Sequence, residues 1–136
     1  MTSDNMMDLT SFPRSMVILG TGIVGCEFAT IFANFGQTKV YLIDRADRIL
    51  PFEDEDVSRV CSTNLEAKGV TIHHRAKLLS MEVINDQVEY TIEHHTGGKE
   101  TIRVERAVIS VGRVPNILGL DLDKAGVVVN EQGCIQ

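Results

Sequence analysis

Three glycines in G-x-G-x-x-G spacing, Gly20, Gly22 and Gly25, constrain this sequence more than any other feature. An apolar run, Met16-Val-Ile-Leu19, precedes them and is short enough to be a buried strand. Behind them Ile23, Val24, Phe28, Ile31, Phe32 and Phe35 recur at helical intervals, and Gly36 stands where a helix would stop. Strand, glycine turn and helix in succession are the context that a dinucleotide-binding turn requires. Gly20 is expected to allow the tight turn out of the strand. Gly22 would leave the backbone open to a pyrophosphate, and Gly25 would let the helix pack close to the sheet. Thr21, Ile23, Val24 and Cys26 lie in or near the turn, and the free N–H groups at the start of the helix are expected to face phosphate there.

The turn alone is a common pattern. Asp44 adds to it, as the residue that closes a second apolar run, Lys39-Val-Tyr-Leu-Ile43. It lies 19 positions after Gly25, near the spacing of an acid that bonds the adenosine ribose hydroxyls. A carboxylate there favours NAD(H) and repels a 2′-phosphate. Arg45 and Arg48 follow in the same loop and could hold that phosphate, so tolerance of NADP(H) is a secondary expectation. The plain alternative is a βαβ unit whose glycines serve packing, whose Asp44 caps the next segment and whose arginines are surface charge.

The chain in order gives an α/β fold. Residues 1–14 are polar with scattered methionines and are expected to be an extended lead-in. Residues 15–136 are expected to form the nucleotide-binding domain. A helix over about 53–68 opens with Glu53-Asp-Glu-Asp56, which suits a helix dipole and lacks the spacing of a calcium loop. Val70-Thr-Ile72 reads as a third strand. From residue 76 the period becomes two, with turns at Asn85-Asp86 and Thr96-Gly-Gly-Lys99, which predicts a three-stranded antiparallel meander. Ala107-Val-Ile-Ser-Val111 returns to the parallel sheet as a fourth strand, and short strands follow at Val127–Val129 and Cys134–Gln136. The fold expected is a Rossmann-like parallel sheet with helices and an inserted meander.

Charge and cysteine usage exclude several classes. A net charge of −6 argues against nucleic acid or an anionic membrane as partner. No apolar run reaches the length of a membrane span, and the N-terminus lacks the pattern of a secretory signal, so the cytoplasm is the default compartment. Cys26, Cys61 and Cys134 are odd in number and widely spaced, unlike a disulfide framework or zinc site. A position in the first turns of a helix would lower the thiol pKa of Cys26, although a small filler against the sheet is the main expectation. His73-His74 and His94-His95 suggest a metal, but adjacent strand residues point to opposite faces, so neither pair can chelate one ion; no metal is expected.

With these elements in place, the chain resembles the NAD(P)-binding domain of the FAD-dependent pyridine nucleotide–disulfide oxidoreductases. The likeness runs over essentially the whole length. It rests on Gly20-Thr-Gly-Ile-Val-Gly-Cys-Glu27, Arg48-Ile-Leu-Pro51, Ser110-Val-Gly-Arg-Val-Pro-Asn116 and Lys124-Ala-Gly-Val127. Within the family these motifs look most like the dihydrolipoamide dehydrogenase branch. Gly25-Cys-Glu-Phe-Ala-Thr-Ile-Phe32 with Asp47-Arg48 also looks like the soluble pyridine nucleotide transhydrogenases.

The resemblance implies that the glycine turn holds the pyrophosphate and that Asp44, with Arg45 beside it, meets the adenosine ribose. It also implies that Leu78 lies near the adenine, that Gly112 lines the nicotinamide side, and that Glu27 orients the nicotinamide for hydride exchange with flavin. The family's redox-active C-x4-C, FAD fingerprint, catalytic His-Glu pair and dimerisation domain have no counterpart in these residues. The expectation is a fragment of a longer, homodimeric flavoenzyme. It would bind NAD(H), meet FAD-binding and interface domains of its parent, bind no FAD itself, and carry no catalytic group for disulfide chemistry. A stand-alone NAD-binding regulatory module, or a scaffold that binds no nucleotide, are the alternatives.

Overall fold

The computed structural model describes residues 1–136. Four strands form a parallel sheet: β1 (Ser15–Leu19), β2 (Lys39–Ile43), β3 (Thr71–His73) and β7 (Arg106–Ile109), in the order β3-β2-β1-β7. Helices α1 (Ile23–Phe35) and α2 (Glu55–Ala67) follow β1 and β2. The meander is a separate sheet of β4 (Lys77–Ile84), β5 (Gln87–Glu93) and β6 (Lys99–Val104), all antiparallel.

Two cores explain why β1, β2 and β7 are apolar without alternation. Side chains of a strand alternate between faces. Met16, Ile18, Val40, Leu42 and Val108 pack against Cys26, Ala29 and Phe32 of α1 and Leu65 of α2. Their neighbours Val17, Leu19, Ile43 and Ala107 point the other way, against Tyr90, Ile92 and Val104 of the meander. The meander thus covers the face of the parallel sheet opposite the helices. A sheet covered on both faces needs apolar residues at every position.

The helix signals act as expected. Gly36 ends α1 with φ 66°, a left-handed cap that favours glycine. Asp54 caps α2 by accepting a hydrogen bond from the Asp56 amide at 2.9 Å, and Glu55 and Asp56 occupy its first turn. The sequence expectation for this helix began slightly early, in the loop that precedes the cap.

Three local features depart from expectation. Residues 1–14 are not an extended lead-in: Ser3–Asp8 form a 3-10 helix. Met1, Met6 and Leu9 pack against the helix-side core, and Phe12 lies against Phe32 and Phe35 at centroid distances of 5.9 and 4.8 Å. Met1 also joins the edge of the sheet, its ammonium donating to the Ala107 carbonyl at 3.0 Å and its carbonyl accepting from the Ile109 amide at 2.9 Å. Flexible methionines fill uneven gaps without any periodic pattern, so this docking leaves little trace in sequence. The simple alternation expected in β4 is broken by an irregularity between Leu78 and Ser80, where Leu79 is the extra residue of a bulge. Finally, the two short strands expected near the C-terminus reduce to one bridge between Val129 and Ile135.

Candidate functional site

The chain runs from β1 to β2 and β3 on one side, then returns to the other side of β1 as β7. The order therefore reverses between β1 and β7. Ligands of open α/β sheets bind at the carboxyl ends of strands at such a switch point. An open cleft of about 840 Å³ lies there, lined by Gly22, Ile23 and Val24 of the glycine turn, by Pro51, and by Ser110 and Gly112 after β7.

Each glycine has a different surrounding. Gly20 adopts φ +93°, and a Cβ there would sit 2.5 Å from the Ser110 carbonyl oxygen. Both conformation and space therefore exclude a side chain. At Gly25 a Cβ would lie 2.0 Å from the Gly20 carbonyl oxygen, so α1 rests directly on the turn that precedes it. Gly22 differs, because a Cβ there would meet nothing within 4 Å. Packing does not require glycine at this position, which is half-buried and faces the cleft. Gly22 is also the N-cap of α1 with no side-chain cap, and the first intrahelical bond runs from the Cys26 amide to the Gly22 carbonyl at 3.0 Å. The preceding amides of Ile23, Val24 and Gly25 are thus left for another acceptor.

Asp44 stands at the end of β2 and is bound to this turn. Its Oδ2 accepts from the Thr21 amide at 2.8 Å and the Thr21 hydroxyl at 2.9 Å, while Oδ1 accepts from the Ala46 amide at 3.0 Å. Thr21 is buried, and its carbonyl accepts from the Leu50 amide at 2.8 Å. Partial burial pushes the Asp44 pKa up, but the bonds from Ala46, Thr21 and Arg45 outweigh it and hold the carboxyl below its ordinary value. A depressed pKa in the folded state stabilises the fold above the ordinary carboxylate range. That contribution is lost only as pH falls from there through the lowered value, so the turn stays braced at neutral and mildly acidic pH.

The other expected residues distribute around this centre. Ile23, Val24 and Gly112 line the cleft with Gly22. Glu27 is exposed one turn along α1 and lines the adjoining groove between α1 and α2, not the cleft itself. Leu78 is half-buried against the meander-side core, outside the cleft. It lies two residues beyond Ala76, whose amide donates to the Asp44 carbonyl at 2.8 Å, and so belongs to the Asp44 side of the molecule. Arg45 is exposed. Arg48 is not a free loop cation: it donates to the carbonyls of Glu53 and Pro51, both at 3.0 Å. Asp47 pairs with Arg75 at 3.6 Å and with neither loop arginine.

Cys26 is the small core filler expected, but its pKa shift is opposite to the one a helix start implies. Its side chain is buried in the helix-side core and its thiol donates to the Thr21 carbonyl at 3.4 Å, beneath the turn. Burial, with added repulsion from Cys61 and Asp44, pushes its pKa up to about 11, opposite to the shift expected of a helix start. Desolvation exceeds the dipole effect here. Thiol labelling at neutral pH is therefore expected to modify exposed Cys134 quickly and Cys26 only upon unfolding. Mass analysis of the labelled peptides checks this.

Sequence reasoning places Thr21 in the turn but not as the anchor of Asp44, because it occupies a variable position of the fingerprint, and it assigns Ser110 no role. The Ser110 hydroxyl donates to the Leu19 carbonyl at 2.7 Å and lies 3.3 Å from that of Gly20, tying the end of β7 to the turn. A serine just past an apolar strand carries no signal of that role.

Comparison with known proteins agrees with this fold. The pattern of the family described as pyridine nucleotide-disulphide oxidoreductase matches residues 1–136. A dihydrolipoyl dehydrogenase from Bacillus subtilis is 36% identical over 132 residues, which are 96% of this chain and 28% of that protein. A soluble pyridine nucleotide transhydrogenase from Pseudomonas aeruginosa is 34% identical over 134 residues, 98% of this chain and 28% of that protein. Among solved structures, the HOCl-induced flavoprotein disulfide reductase RclA from Escherichia coli superposes with a TM-score of 0.85 at 33% identity, covering 100% of this chain and 30% of that one. The chain thus spans under a third of the length of these relatives. No helix is long and apolar enough to cross a membrane.

Proposed function

The chain belongs to the pyridine nucleotide-disulphide oxidoreductase family, and from that membership we propose that it is the NAD(H)-binding domain of an FAD-dependent oxidoreductase of the dihydrolipoamide dehydrogenase type. Its task is to hold the nicotinamide for hydride exchange with a flavin carried by other parts of the parent enzyme. The observation that supports this most is Gly22, a glycine that packing does not require, open to the cleft at the switch point of the sheet. There the backbone would receive the pyrophosphate, with the free amides of α1 as donors.

Asp44 would accept a ribose hydroxyl on Oδ1, where Ala46 is the one donor, since Thr21 already donates twice to Oδ2. Gly112 would border the nicotinamide, and Glu27 would approach it from the neighbouring groove. Flavin supplies the redox chemistry; the residues of this chain bind and orient. Intact mass and absorbance of the protein from its native source test the parent: a polypeptide several times longer with bound FAD supports the flavoenzyme, and a short colourless one supports a separate regulatory module.

NADH is expected to bind more tightly than NADPH, because the Asp44 carboxylate repels a 2′-phosphate. Asp44→Ala should weaken both, since it also removes the acceptor of the buried Thr21 amide, a loss of about 1–3 kcal/mol. It should narrow or reverse the preference. Asp44→Asn keeps an acceptor for Thr21 and removes the charge, so it should narrow the preference with less damage to the turn. Comparative titration of the three proteins with both cofactors decides the matter, and tighter NADPH binding by the wild type would overturn this assignment of Asp44. A transhydrogenase role is the second reading. It is supported by the similarity to the Pseudomonas enzyme and by Arg45, an exposed cation next to Asp44 that could receive a 2′-phosphate.

A further inference from the structure

The parallel sheet and the meander meet at a second cluster of chemistry-bearing side chains, on the β3 side of Asp44, whose amide donates to the His73 carbonyl at 3.2 Å. His73 ends β3, His94 follows β5, and Glu100 lies in β6. Each of the two adjacent histidine pairs contributes one member. The ligand atoms of the three residues all lie within 4.8 Å of one another. We propose that His73, His94 and Glu100 form a divalent-metal site of the zinc class that ties the edge of the parallel sheet to the meander.

The donor set fits such an ion. Zinc takes imidazole nitrogen and carboxylate oxygen, and three protein ligands leave a fourth position for water. His94 Nε2 and Glu100 Oε2 are 3.1 Å apart, close to the ~3.3 Å edge of a tetrahedral zinc site. Closing the widest spacing, 4.8 Å, to that edge takes a shift of up to about 1.5 Å, within reach of side-chain rotations. Oxygen-preferring magnesium and calcium are poorly served by two imidazoles.

Three further features favour a bound ion over a simple hydrogen-bonded cluster. His73 Nε2 is buried and meets no hydrogen-bond partner within the protein. Such an atom needs an explanation, since buried polar groups are nearly always satisfied. The His73 ring is also held in place, stacked on Tyr41 with centroids 6.1 Å apart and planes 12° from parallel. Tyr90, whose hydroxyl is likewise buried without a partner, packs against Tyr41 in the same neighbourhood and would gain one from a water on the ion.

The test is titration of the chain with zinc chloride alone, by calorimetry and by thermal unfolding. A Cys61→Ser/Cys134→Ser background removes the accessible thiols as competing ligands. Binding of one ion per chain is expected, with Tm raised by roughly 5 °C at tenfold excess over Kd. His94→Gln and Glu100→Gln lie at partly or fully exposed positions and should fold normally. Each should weaken binding at least ~10-fold and cut the Tm increase to roughly 1–2 °C or less at the same zinc concentration. His73→Gln should do the same, and if it fails to fold the other two variants carry the test. The proposal is overturned by the absence of stoichiometric binding, or by unchanged affinity in either His94→Gln or Glu100→Gln.

Discussion

A Gly22→Val chain is expected to stay folded and to bind NADH at least ~100-fold more weakly than the wild type. The two halves of this expectation come from separate observations. A Cβ at position 22 meets nothing within 4 Å, and its φ of −72° suits any L-residue. The fold therefore loses only the small difference between residues at an N-cap, about 1 kcal/mol or less. The same empty space is where a pyrophosphate would contact the backbone, and a valine would fill it. Circular dichroism, thermal unfolding and NADH titration on one preparation separate stability from binding. Unchanged affinity would mean that the turn serves packing alone.

Gly25→Ala is expected to do the opposite and act on the fold. Its methyl group would sit 2.0 Å from the Gly20 carbonyl oxygen and 3.0 Å from the Ser110 hydroxyl. Neither the turn nor the end of β7 can yield cheaply. The Ser110 hydroxyl already holds the Leu19 carbonyl, and Gly20 itself has no free space toward β7. Helix α1 must move away from the sheet, which disturbs Cys26, Ala29 and Phe32 in the core. A loss of roughly 3 kcal/mol follows, at the upper end for overpacking, with Tm lowered by about 10 °C. Thermal unfolding of the variant reads this directly, and a shift under ~2 °C would show that the helix does not rest on the turn. The pair of glycines thus distinguishes a position kept open for a ligand from one closed by packing.

The sequence made the glycine turn, the buried strands and the meander legible for a physical reason, while the packing of the meander on the parallel sheet comes from the structure. Fingerprint glycines act through local geometry, so their spacing is enough to place β1, α1 and Asp44. Unbroken apolar runs such as Met16–Leu19 imply a strand covered on both faces, and the alternating segment from 77 onward supplies the second cover. The less legible features depend on contacts distant in sequence. Thr21 anchors Asp44 across 23 positions, and Ser110 closes on the turn across 90 or more. Met1 and Phe12 dock through shape rather than period. The strand rule does not reach the two histidine pairs, because β3 ends at His73 and β5 at Glu93, leaving His74, His94 and His95 outside strands; His73 meets His94 and Glu100 through packing distant in sequence. Likewise the expected helix effect on Cys26 was outweighed by burial, a property of the packed core.

The central claim is that this chain holds a dinucleotide at the turn between β1 and α1. Calorimetric titration of the folded 136-residue chain with NADH tests it most directly. Saturable binding of one NADH per chain, weaker for NADPH, is the predicted result. A chain that is folded by circular dichroism yet gives no saturable heat with NADH would contradict it.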